Sequence, residues 1–242
     1  MLLNINEINL KKVIEIIFSI LGNESLELKS SVFLTGKNCR FFVKYRTQYD
    51  CANDVVYFYN APDLDKYENL MALVHECYHV IQKNNGQKLG YSTEHCHKYG
   101  EYENHPANHM YMFYKYYPFE CEATGYAQAF IYFYLKTISY SKKIDVNKMI
   151  EKYSKPDSFT LGDVETEDDY QEVTEKLLES YNAAISFFNN NYFLPNNDAL
   201  TIYKSAVKDI DKIEQFKWCS SMIKMDSMGS KMLSLYDIIE SD

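Results

Sequence analysis

Two histidines and a glutamate at fixed spacing carry the strongest chemical signal in this sequence. The stretch from Met71 to Gln82 reads M-A-L-V-H-E-C-Y-H-V-I-Q and contains H-E-x-x-H as His75, Glu76 and His79. Residues four apart on an α-helix share a face, so the two imidazoles project side by side and can take two corners of a tetrahedral zinc. Glu76, beside the first histidine, can reach a water in the open fourth position and act as general base. Leu70, Met71, Leu73, Val74, Val80 and Ile81 supply the apolar faces that a buried helix needs.

So short a pattern also arises by accident, in which case the helix is amphipathic and its histidines are ordinary. A catalytic zinc requires a third protein ligand, and a carboxylate near the start of a second helix can supply it. The sequence offers Tyr117-Pro118-Phe119-Glu120-Cys121-Glu122-Ala123-Thr124-Gly125-Tyr126-Ala127. This pairing resembles the gluzincin branch of the zincin metallopeptidases, whose third ligand is the first Glu of an E-x-x-[AS]-D-like helix. It also looks like the minimal cytoplasmic zincins of phages and mobile elements, the ImmA/IrrE type among them, across about residues 54 to 135. The resemblance implies Glu120 as metal ligand and Ala123 as a small residue packed on the active-site helix. It puts Thr124 where the family carries an acidic residue behind a ligand histidine. Threonine there is a departure: a hydroxyl can accept a histidine N–H, but it raises ligand basicity less than a carboxylate does. Glu122 stands as a rival third ligand. A metzincin pattern is excluded, because Gln82 and Asn85 occupy the places of its Gly and third His.

All six histidines fall between positions 75 and 109. Beyond the motif, His95-Cys96-His97 and His105-x-x-x-His109 have ligand-like spacing, yet a polar loop over the cleft explains them more simply. The resemblance adds an intermediate role, since a Tyr or His outside the ligand set steadies the oxyanion in related enzymes. His105, His109 or a nearby Tyr is the candidate for it here. Cys77 and Cys121 adjoin the proposed ligands, but helix geometry turns Cys77 away from the face that His75 and His79 share.

The elements that must position these residues can be read from periodicity. Ile8, Val13, Ile14, Ile17 and their neighbours predict an amphipathic helix over 5–21, ending before Gly22-Asn23. Strands are expected at Ser31–Thr35 and Arg40–Tyr45, joined across Gly36-Lys37-Asn38, and at Val55–Tyr59. A small sheet just before the motif helix is the order zincins use, with an edge strand able to pair with an extended peptide. The motif helix is expected to begin near Pro62-Asp63, capped by Asp63 or Asp65, and to end at Asn84-Asn85-Gly86. A second long helix or helix pair is expected over 111–140, with Pro118 near its start. Shorter or longer helices are expected at Val146–Tyr153, Tyr170–Asn189, Asp198–Phe216 and near the C-terminus.

Composition narrows the function further. The chain has 242 residues, 46% of them hydrophobic, and a formal net charge of -9. Such an acidic chain is a poor candidate for nucleic-acid or anionic-membrane binding. No apolar run reaches the roughly 18 residues of a membrane span, and Glu7, Lys11 and Lys12 interrupt any secretory signal. The six cysteines show no framework spacing, which suits reduced thiols and a cytoplasmic location.

The expectation is an α+β fold: a mostly helical zincin-like core over 1–141, with a small N-terminal sheet, and a helical region over 142–242 packed on it. The function expected is zinc-dependent hydrolysis of a peptide or protein, with one Zn²⁺ per chain. The alternative is a binding or regulatory protein that keeps the zincin fold without catalysis.

Overall fold

The computed structural model describes residues 7–26, 30–33, 47–50, 55–58, 64, 66–89, 117–154, 167–192 and 228–241. Most of these are helical. Helix α1 spans Glu7–Ile20 and α2, which carries the motif, spans Tyr67–Asn84. Helix α3 spans Pro118–Lys142, α4 Asn147–Tyr153, α5 Glu167–Asn191 and α6 Met228–Ser241. Strands β1 (Ser30–Phe33), β2 (Thr47–Asp50) and β3 (Val55–Phe58) form one sheet in the order β1-β3-β2.

Helix α1 buries Leu10, Val13, Ile14, Ile17 and Phe18, the three-and-four spacing of one face, and leaves Lys11, Lys12 and Glu15 in water. It ends in a left-handed turn: Gly22 has φ +78°, Asn23 N–H donates to the Phe18 carbonyl and Gly22 N–H to that of Ser19. Helix α2 ends the same way at Gly86, with Gln87 N–H donating to the Gln82 carbonyl and Gly86 N–H to that of Lys83. Its start differs from the expected aspartate cap. The helix begins at Tyr67 with Lys66 as an extended N-cap residue whose side chain does not cap the helix, and the Lys66 carbonyl accepts from Asn69 and Leu70 N–H.

The sheet also departs from the expected order. β1 pairs in parallel with β3, and the antiparallel partner of β3 is Thr47–Asp50. That segment has a single strongly apolar residue, Tyr49, so alternation hardly marks it. The expected strand at Arg40–Tyr45 lies outside the described residues, as does the expected helix at Asp198–Phe216. Among the described residues β2 lies at the edge of the sheet, and it runs beside α2.

Helix α3 is the central element, packed against α2 on one side and α5 on the other. One buried cluster joins α1, α2 and α3 to Tyr181, Ala184 and Phe188 of α5 and to Met232 and Leu235 of α6. Helix α3 ends at Lys142, and described residues beyond it share the core of those before it. Phe130, Phe133 and Tyr134 are buried in that core. Ion pairs from Lys152 to Glu68 at 2.8 Å and from Lys231 to Glu24 at 2.6 Å tie α4 to α2 and α6 to the turn after α1.

Helices α3 and α5 approach closely at Gly125, where an added Cβ would lie 2.7 Å from the backbone of Ser180 and of Tyr181 in α5. Backbone cannot rotate away as a flexible side chain can, so Gly125→Ala must push α3 and α5 apart. The expected loss is about 1–3 kcal/mol, read as a drop of about 2–4 °C in melting temperature per kcal/mol. An unchanged melting curve for Gly125→Ala contradicts this contact.

Candidate metal centre

Three side chains converge between α2 and α3. His75 and His79, one helical turn apart, have ring centroids 4.5 Å apart and planes at 89°. Glu120 lies in the first turn of α3, just after Pro118, where a carboxylate also complements the helix dipole. His75 Nε2 is 3.0 Å and His79 Nε2 is 3.3 Å from Glu120 Oε2, and the two Nε2 atoms are 2.9 Å apart. A tetrahedral zinc with ordinary bond lengths separates its ligand atoms by about 3.3 Å. The triangle seen here is close to that face, and among the described residues His75, His79 and Glu120 are the group able to hold a metal. The donor chemistry, two imidazoles and one carboxylate, fits a catalytic zinc with a position left open. His79 and Glu120 are nearly enclosed, while the His75 side chain is 20% exposed, so the cluster opens to solvent on the His75 side.

Electrostatics couples these groups in the metal-free chain. Burial alone would raise the Glu120 carboxyl, but hydrogen bonds from His75 and His79, together with their charge, hold it well below the usual carboxylate range. Burial would lower His79. The hydrogen bond and charge of Glu120 outweigh it, and His79 is pushed up to about 9.

Glu76 projects from the same helix toward β2, where its Oε2 accepts the Tyr49 N–H at 2.7 Å. The edge strand therefore fixes the orientation of this carboxylate through backbone. Burial raises the Glu76 carboxyl, against the lowering charges of His75 and His79. A raised carboxylate is better matched to proton transfer near neutrality.

Thr124, one turn beyond Glu120, places its hydroxyl oxygen 3.2 Å from His75 Nδ1. Ala123 is fully buried on the same stretch of α3. Glu122 does not reach the triangle. Its carboxylate accepts from Tyr78 OH at 3.0 Å, Gln82 Nε2 at 2.8 Å and Gln87 Nε2 at 3.2 Å. Tyr78 in turn stacks on Tyr126 at 4.2 Å. Gln82 is a site residue that the motif does not announce. It is 2% exposed, and its Oε1 lies 2.7 Å from His79 Nδ1. The signal for it was its place three residues after His79, one turn on along the same face.

His105 and His109 lie outside the described residues, as does His95-Cys96-His97. Cys77 is fully buried and burial pushes its thiol far up, while burial pushes the Cys121 thiol up to about 12. Neither has the lowered pKa of a nucleophilic thiolate.

The coupled pair dictates a pH dependence. His79 is raised from 6.5 to about 9, so its contribution to metal-free stability is full below 6.5 and is lost as pH rises through 9. Glu120 is depressed from 4.5, so its contribution is present above 4.5 and fades as pH falls. Metal must displace the His79 proton, so zinc affinity is expected to climb about tenfold per pH unit from neutrality and to level off above about 9. Chelator competition across that range measures it, and a flat profile contradicts the coupling.

Compared with protein-family models, curated proteins and solved structures, the chain finds no match.

Proposed function

We propose that this chain is a zinc-dependent endopeptidase with a zincin-like core, acting on peptide or protein. The observation that carries this reading is the convergence of His75 Nε2, His79 Nε2 and Glu120 Oε2 from two helices onto one point. Zinc bound there would polarise a scissile carbonyl and acidify a water. Glu76, on the same helix, takes a proton at its carboxylate and returns it to the leaving amine. The Tyr49 N–H keeps that carboxylate aimed. Thr124 steadies the His75 ring from behind.

The edge strand β2 lies beside Glu76, which suits an extended substrate added as a further strand. Backbone pairing of that kind binds without demanding particular side chains. It is compatible with a peptide substrate class rather than a small metabolite.

The test pairs wild type with Glu76→Gln, both loaded with zinc, on an unfolded-protein substrate pool read by mass spectrometry. Glu76→Gln is expected to keep the metal and to lose about a hundred- to ten-thousand-fold in cleavage rate. A fully active Glu76→Gln contradicts the mechanism. A zinc-loaded wild type that cleaves nothing in the pool, while still binding peptides, favours the non-catalytic alternative.

A further inference from the structure

Behind the metal triangle lies a second polar layer. Gln82 is buried, and its amide makes three hydrogen bonds in different directions. Its Nε2 donates to the Phe119 carbonyl at 2.9 Å and to Glu122 Oε2 at 2.8 Å. These two acceptors claim both amide hydrogens and so fix which end of the amide is oxygen. That leaves Oε1 facing His79 Nδ1 at 2.7 Å. An amide oxygen can only accept, so Nδ1 must carry a proton.

We infer that Gln82 and Glu122 form a relay that holds His79 in its metal-ready tautomer and locks α2 to the first turn of α3. With the proton on Nδ1, the neutral ring turns a bare Nε2 toward His75 and Glu120. The charge of Glu122 polarises the Gln82 amide and makes its oxygen a better acceptor, which in turn makes Nε2 a stronger donor to metal. Glu122 is kept in place by Tyr78 OH and by Gln87, and the left-handed turn at Gly86 delivers Gln87 to it. The same carboxylate that competes with Glu120 in sequence thus acts from behind His79. Gln82 and Glu122 are positioning residues, because neither touches the metal point.

The inference rests on the metal reading, and its test separates the two. In metal-free wild type, at a pH where the ring is neutral, two-bond ¹H–¹⁵N correlation is expected to show His79 as the Nδ1–H tautomer. Gln82→Met keeps the length and removes the bonds. It is expected to admit the Nε2–H tautomer and to weaken zinc binding about 10–100-fold in chelator competition. Gln82→Glu leaves two carboxylates facing each other and is expected to weaken binding as well. Adding Glu122→Gln restores a donor opposite the new carboxylate, so the Gln82→Glu/Glu122→Gln double variant is expected to bind zinc more tightly than Gln82→Glu alone. A purely packing role for Gln82 predicts no such recovery. An unchanged tautomer and affinity in Gln82→Met overturns the relay, as does a double variant that binds zinc no more tightly than Gln82→Glu alone. A wild type that binds no zinc overturns the metal reading instead, and the tautomer in the metal-free chain still decides the relay.

Discussion

The contact between α2 and α3 is the constraint on which the site depends. His75 and His79 are placed by one helix and Glu120 by another, so the triangle exists only while the two helices keep their spacing and register. Three kinds of contact hold that register. The apolar faces of both helices join the common core, Tyr78 stacks on Tyr126, and the Gln82 amide bonds the Phe119 carbonyl at the start of α3. Helix α5 presses on the far side of α3 at Gly125, one residue past Thr124, so the packing of a distant helix bears on the ligand turn.

Burying two imidazoles and a carboxylate is costly in an apolar core unless each polar atom has a partner. Here the partners are arranged by face. Both histidines turn Nε2 inward and give Nδ1 to a neighbour, Thr124 for His75 and Gln82 for His79. In the metal-free chain the inward atoms meet one another and Glu120, which is why Glu120 is held low and His79 high. A divalent cation would satisfy all three at once. The site is thus an electrostatic arrangement that a metal could complete and that a proton partly satisfies.

Much of this was legible in the sequence, for reasons that differ by element. The shared face of His75 and His79 follows from helical spacing alone, and α1 and the Gly86 end of α2 follow from apolar period and glycine placement. The choice between Glu120 and Glu122 was not legible. Two residues apart, they lie about 200° apart around a helix, and only the packing of α3 on α2 decides which one faces the histidines. β2 was hidden because Thr47-Gln48-Tyr49-Asp50 has little apolar alternation, and its strand state is imposed by pairing with β3. Gln82 was hidden for another reason: a glutamine in a helix reads as surface until the structure shows three bonds and no solvent.

The most direct test of the account is the zinc content of the purified full chain, measured by elemental mass spectrometry beside Glu120→Ala. The account predicts about one zinc per chain in the wild type and its loss when Glu120 is removed. A wild type without zinc after reconstitution, or a Glu120→Ala variant that holds zinc as tightly as the wild type, contradicts it.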